Sequence, residues 1–94
     1  MKRFLFALLI LSLLAVACGA SGPKTADDYA KEYGGSVDVY RQILSSNDCT
    51  YLQGQFDTAY EASQNNAPGT TYHKRATGFM TASDQRMQEI GCYE

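Results

Sequence analysis

Apolar residues follow two different patterns along this chain. From Phe4 to Val16 they form one run, broken only by Ser12. From Thr25 onward they recur at spacings of three and four, the mark of helices with one buried face. In that second region Thr25 is placed to cap a short helix, with Asp27 and Asp28 at the positive end of its dipole. Tyr29 and Tyr33 then share a face, and Gly34-Gly35 stops the helix. Ser36 is placed to cap a second short helix carrying Val37, Tyr40, Ile43 and Leu44 on one side, and Ser45-Ser46-Asn47 breaks it.

Two longer segments follow. Asp48 caps a predicted helix that starts at Cys49, with apolar or small residues at Cys49, Leu52, Phe56, Ala59 and Ser63. Their 3, 4, 3, 4 spacing is that of a heptad seam. Asn65-Asn66-Ala67-Pro68-Gly69 is a turn by composition. After Thr70-Thr71 the last predicted helix runs to about Ile90, with Tyr72, Ala76, Phe79, Met80, Ser83, Met87 and Ile90 on one face, and Gly91 ends it. Two helices of similar length, matching seams and a short connection predict an antiparallel helical hairpin. The expected fold class is therefore all-α, two short helices leading into that hairpin.

The N-terminal run has a different meaning. A spanning helix needs roughly 20 apolar residues, and this run falls short of that. It follows Lys2 and Arg3 and ends in the small residues Ala15, Ala17 and Cys18, the three zones of a secretory signal. Ala15-Val16-Ala17-Cys18 resembles the lipobox of bacterial lipoprotein precursors. The resemblance implies a diacylglycerol on the Cys18 thiol and cleavage after Ala17, although Leu is commoner where Ala15 stands. The alternative is an ordinary signal peptide cut at the same bond, which leaves Cys18 as a free thiol. The expected organisation is a signal at 1–17, a lipidated cysteine with a flexible tether at 18–24, and a small helical domain at 25–94. Two acyl chains suffice for stable anchoring, which puts the domain on the extracytoplasmic face of a bacterial membrane.

Removing the signal changes the charge balance. Six basic residues then face ten acidic ones, a formal net charge of −4. A mildly acidic domain does not offer the clustered basic surface that nucleic acid requires, so no nucleic-acid partner is expected. His73-Lys74-Arg75, the only basic cluster, reads as a solvated face at a helix start. With Cys18 committed to lipid, Cys49 and Cys92 remain as an even pair outside the cytoplasm, where a disulfide is expected. The hairpin brings the two to one end independently of that count. Closing a loop of this length contributes about 4 kcal/mol in the chain-entropy model, and a core this small needs such a staple. A zinc site wants four ligands, so two cysteines and one histidine predict no metal and no cofactor.

Candidate chemistry is sparse. His73 reads as a surface histidine, with Asp84 three turns away and unable to orient it. Asp57, Asp84 and Arg86 flank the seams, where an ion pair is worth under about 1 kcal/mol. Tyrosine carries the one functional slant: the domain holds Tyr29, Tyr33, Tyr40, Tyr51, Tyr60, Tyr72 and Tyr93. Tyr51, off the main seam, and Tyr93, just past the staple, are the candidate binding surface. In the competing arrangement the short helices cover Tyr51 through Tyr29, Tyr33 and Tyr40.

Taken together, Val39-Tyr40, the stretch from Asp48-Cys49 through Leu52-Gln53, Phe56-Asp57 and Ala59, then Gly78-Phe79-Met80 and Asp84-Gln85-Arg86-Met87 to Gly91-Cys92 resemble a group of small exported bacterial and prophage-encoded proteins. The resemblance covers about two thirds of the mature chain. It implies the stapled architecture and no particular activity. The expected function is that of a non-enzymatic, membrane-anchored binding or structural module whose partner is an envelope or phage protein. A concrete version is a prophage lipoprotein that excludes a superinfecting phage. The competing classes are a small or accessory enzyme of the cell envelope and an envelope-maintenance factor.

Overall fold

The computed structural model describes residues 23–93, so the expected signal, Cys18 and most of the expected tether lie outside the described residues. Those residues form four helices and no strand: α1 Ala26–Tyr33, α2 Val37–Ser45, α3 Cys49–Gln64 and α4 Thr71–Glu89. The all-α class follows directly.

Each helix starts for a local reason. Thr25 and Asp28 form a reciprocal capping box: Thr25 Oγ1 accepts from the Asp28 backbone N–H at 3.2 Å, and Asp28 Oδ2 accepts from the Thr25 N–H at 3.0 Å. The bond from the Thr25 backbone N–H, and after it one from the Thr25 side chain, hold the Asp28 carboxyl below its ordinary value. Asp48 Oδ1 accepts from the N–H groups of Thr50 at 2.9 Å and Tyr51 at 3.3 Å. Thr70 Oγ1 accepts from His73 N–H at 3.2 Å. Ser36 departs from expectation: it occupies the N-cap position of α2 but makes no side-chain capping bond.

α3 and α4 form the most extensive helix pair. Leu52, Ala59 and Ser63 of α3 and Ala76, Ser83 and Met87 of α4 are buried. The two buried serines satisfy their hydroxyls locally, Ser63 on the Tyr60 carbonyl at 2.6 Å and Ser83 on the Phe79 carbonyl at 2.8 Å. At one end of this pair Cys49 is bonded to Cys92, with Cα atoms 5.7 Å apart.

The short helices pack on α4, not across α3 and α4 equally. α1 lies along a stripe of α4 from Gln85 to Gly78. Gln85 takes the Tyr29 hydroxyl on Oε1 at 2.6 Å and donates from Nε2 to the Lys24 carbonyl at 3.1 Å. Gly78 lets α1 and α2 approach: a Cβ there would stand 2.5 Å from Tyr33 Cβ and closer still to Tyr40 Oη. Gly34 and Gly35 reverse the chain with φ of 82° and 99°, a region that favours glycine. α2 returns along α4, and its end is tied down by Arg86. Arg86 Nε donates to the Ser46 carbonyl at 2.7 Å, Nη2 to Asn47 Oδ1 at 2.8 Å, and Nη1 to Glu89 Oε1 at 3.2 Å. The expected rim ion pair is present, between Arg86 and Glu89, and Arg86 is in addition a clamp on the corner between α2 and α3, because that corner's carbonyl groups lie within its reach.

Aromatic rings fill the space this leaves. Tyr29 stacks on Tyr33 and Tyr40 with centroids 5.9 and 5.4 Å apart, and Tyr40 meets Phe79 at 4.8 Å. Tyr29 and Tyr40 are fully buried and join Ile43, Leu52, Ala82 and Met87 in one core. Tyr40 anchors itself by donating to the Gly34 carbonyl at 2.8 Å. Burial pushes both phenols up to about 12, since the charged form would have to leave water.

Candidate functional site

The two tyrosines singled out as a binding surface occupy different places. Tyr93 follows the disulfide and is 57% exposed. Its hydroxyl donates to Asp84 Oδ1 at 2.6 Å, and that bond raises its pKa. Asp84 also accepts from Gln88 Nε2 at 2.7 Å. Tyr93, Gln53, Gly54 and Asp57 border a shallow depression over the Cys49–Cys92 bond. Tyr51 is half-buried, packs against the core and borders a separate depression with Gln42, Ser45 and Asp48, at the end of α2. The structure therefore assigns them to separate surfaces, Tyr51 mostly to packing and Tyr93 to the solvent face.

The titratable side chains are also dispersed. His73 sits in the first turn of α4, while the Asp84 carboxylate near the other end of that helix is occupied by Tyr93 and Gln88. Asp57 Oδ1 accepts from Gln53 Nε2 at 2.9 Å, one turn back on α3. Lys24 pairs with Glu32, which raises the lysine and lowers the carboxyl, and its ammonium lies 5.2 Å from the Tyr33 ring centroid. Among the described residues no three of His, Cys, Asp or Glu gather as a metal site, and no helix is long and apolar enough to cross a membrane.

No known protein family matches the chain, and no curated protein or solved structure matches it. What the fold offers must be read from its own surface.

The feature the sequence did not reveal lies between α3 and α4, beyond the Gly34-Gly35 reversal. The α1–α2 layer ends there, so the first turns of α4 and the last turns of α3 are left without a third element. The groove between them is about 320 Å³, with Ala59, Ala62 and Ala76 along it and Tyr72 and Phe79 beside them. That volume is at the lower end for small-molecule sites. Arg75 is the one charged residue lining it. The expectation of a wholly solvated basic cluster is corrected at this residue. Arg75 is half-buried, its Cγ and Cδ would lie 3.2 and 3.5 Å from a Cβ at Gly35, and its Cζ is 5.6 Å from the Tyr72 ring centroid. Its Nε is buried without a hydrogen-bond partner, and among the described residues it makes no ion pair. The available signal was its position: three residues after Tyr72 and four before Phe79, it sits beside the apolar stripe.

Proposed function

We propose that the chain is the precursor of an exported lipoprotein, cleaved after Ala17 and held by lipid on Cys18 to the extracytoplasmic face of a bacterial membrane. There an antiparallel helical hairpin of α3 and α4, buttressed by α1 and α2, acts as a non-enzymatic binding or structural module. The observation that carries this reading is the Cys49–Cys92 bond. A disulfide persists in an oxidising compartment, and its formation accounts for two of three cysteines, leaving Cys18 at the lipobox-like Ala15-Val16-Ala17-Cys18. The chain enters α1 beside Gln85, in the half of α4 nearest the disulfide. A short tether therefore puts the disulfide half toward the membrane and the Asn65–Thr70 turn away from it.

Binding is favoured over chemistry by the way Asp57 and Asp84 spend their carboxylates on neighbouring glutamine and tyrosine donors. In its concrete form the module is prophage-encoded and obstructs entry of a second phage through contact with an envelope or phage protein. The test is deletion of the gene from a lysogen. Increased entry of superinfecting phage, restored by the full-length gene, is the expected result; unchanged sensitivity overturns the phage version. An envelope activity lost on His73→Ala or Asp57→Ala, with the fold intact, contradicts the non-enzymatic reading.

A further inference from the structure

We infer that the groove between α3 and α4 binds a single linear acyl chain that ends in a carboxylate, with Arg75 as the residue that receives the head group. The shape argues for the chain. Alanines at 59, 62 and 76 fill little of the space between the two helices and leave a narrow trough along their axes, bordered by Tyr72 and Phe79. A slim, flexible hydrocarbon follows such a trough, and each buried methylene contributes about the same transfer energy as in a core.

The charge argues for the head group. Gln55, Thr58 and Asn66 are the polar neutral residues of the lining, and Arg75 alone carries charge. Arg75 makes no ion pair among the described residues. A carboxylate at the terminal nitrogens of its guanidinium supplies one with two parallel bonds, the geometry that guanidinium groups favour. Tyr72, 64% exposed beside Arg75, is placed to cover the bound chain. The acyl chains of a lipidated Cys18 are esters and lack that carboxylate, so they do not meet the requirement. The site stands whether or not Cys18 is acylated.

The test uses the full-length protein in membranes, irradiated with a palmitic acid carrying a diazirine on its chain and, separately, with the matching alcohol. Non-reducing digestion maps the label. The acid is expected to label α3 and α4 around Ala59, Ala62 and Ala76, about tenfold more than the alcohol, the loss expected for one charge-assisted interaction. Arg75→Gln should bring the acid down to the alcohol's level. Ala62→Trp fills the trough, leaves Arg75 in place and should abolish groove labelling by both probes, with thermal melts confirming that each variant is folded. Equal labelling by acid and alcohol in the unaltered protein, or label spread over other faces, overturns the inference without recourse to any variant.

Discussion

Replacing Gly78 with alanine adds one methyl group at the point where three helices meet. Alanine is ordinarily the better helix residue by about 1 kcal/mol. Here the added carbon would lie 2.5 Å from Tyr33 Cβ and against the Tyr40 hydroxyl, whose bond to the Gly34 carbonyl it would displace. Overpacking a fitted core costs roughly 1–3 kcal/mol, and losing a buried hydrogen bond about 1 kcal/mol more. The balance is a loss of about 2 kcal/mol. Gly54 supplies the control: it lies in the interior of α3, is exposed, and a Cβ there would meet nothing within 4 Å. Gly54→Ala should therefore gain about 1 kcal/mol. For a domain of this size each kcal/mol moves the melting temperature by roughly 4–8 °C. Thermal unfolding followed by far-ultraviolet circular dichroism should place the two variants on opposite sides of the unaltered protein. A Gly78→Ala protein as stable as the parent would refute the close approach of α1 and α2 to α4.

Cys49→Ser with Cys92→Ser should cost about 4 kcal/mol, read from urea midpoints against the oxidised parent; a loss under about 1 kcal/mol would mean that the helices hold without the staple. Arg86→Met removes the three bonds that fasten the α2–α3 corner, and a loss of about 2 kcal/mol is expected, not recovered by Arg86→Lys because a point charge cannot serve the Ser46 carbonyl and Asn47 together. Tyr29 and Tyr40 titrate from 10.0 unfolded to about 12 folded, so their neutral forms favour the native state. Stability should hold up to about pH 10 and fall between pH 10 and about 12, by up to roughly 2.7 kcal/mol per pH unit for the pair. Urea titrations across that range check it, and the fall should flatten when both are phenylalanine.

Much of the fold was legible because it is written in spacing and caps. The 3, 4, 3, 4 seam of α3 led to Leu52, Ala59 and Ser63, all buried, and the expected caps at Thr25 and Asp48 begin their helices as side-chain chemistry requires. The second contact stripe of α4 was not legible. It consists of the buried Gly78 and Ala82 and the half-buried Gln85, which carry little hydrophobic signal and matter because a neighbouring backbone comes close or a tyrosine needs a partner. Tyr72 fits the seam by spacing yet is exposed, since no element covers the first turn of α4. The groove was hidden for the same reason: a trough is made by what is missing beside it, and periodicity reports only what is present.

The central claim, a lipid-anchored domain outside the cytoplasm, is tested most directly by mass spectrometry of the N-terminal peptide of the mature protein taken from membranes. The account predicts that the peptide begins at Cys18 and carries the mass of a diacylglyceryl group. An N-terminal peptide that begins at Cys18 with no added mass, or one that retains residues 1–17, would contradict it.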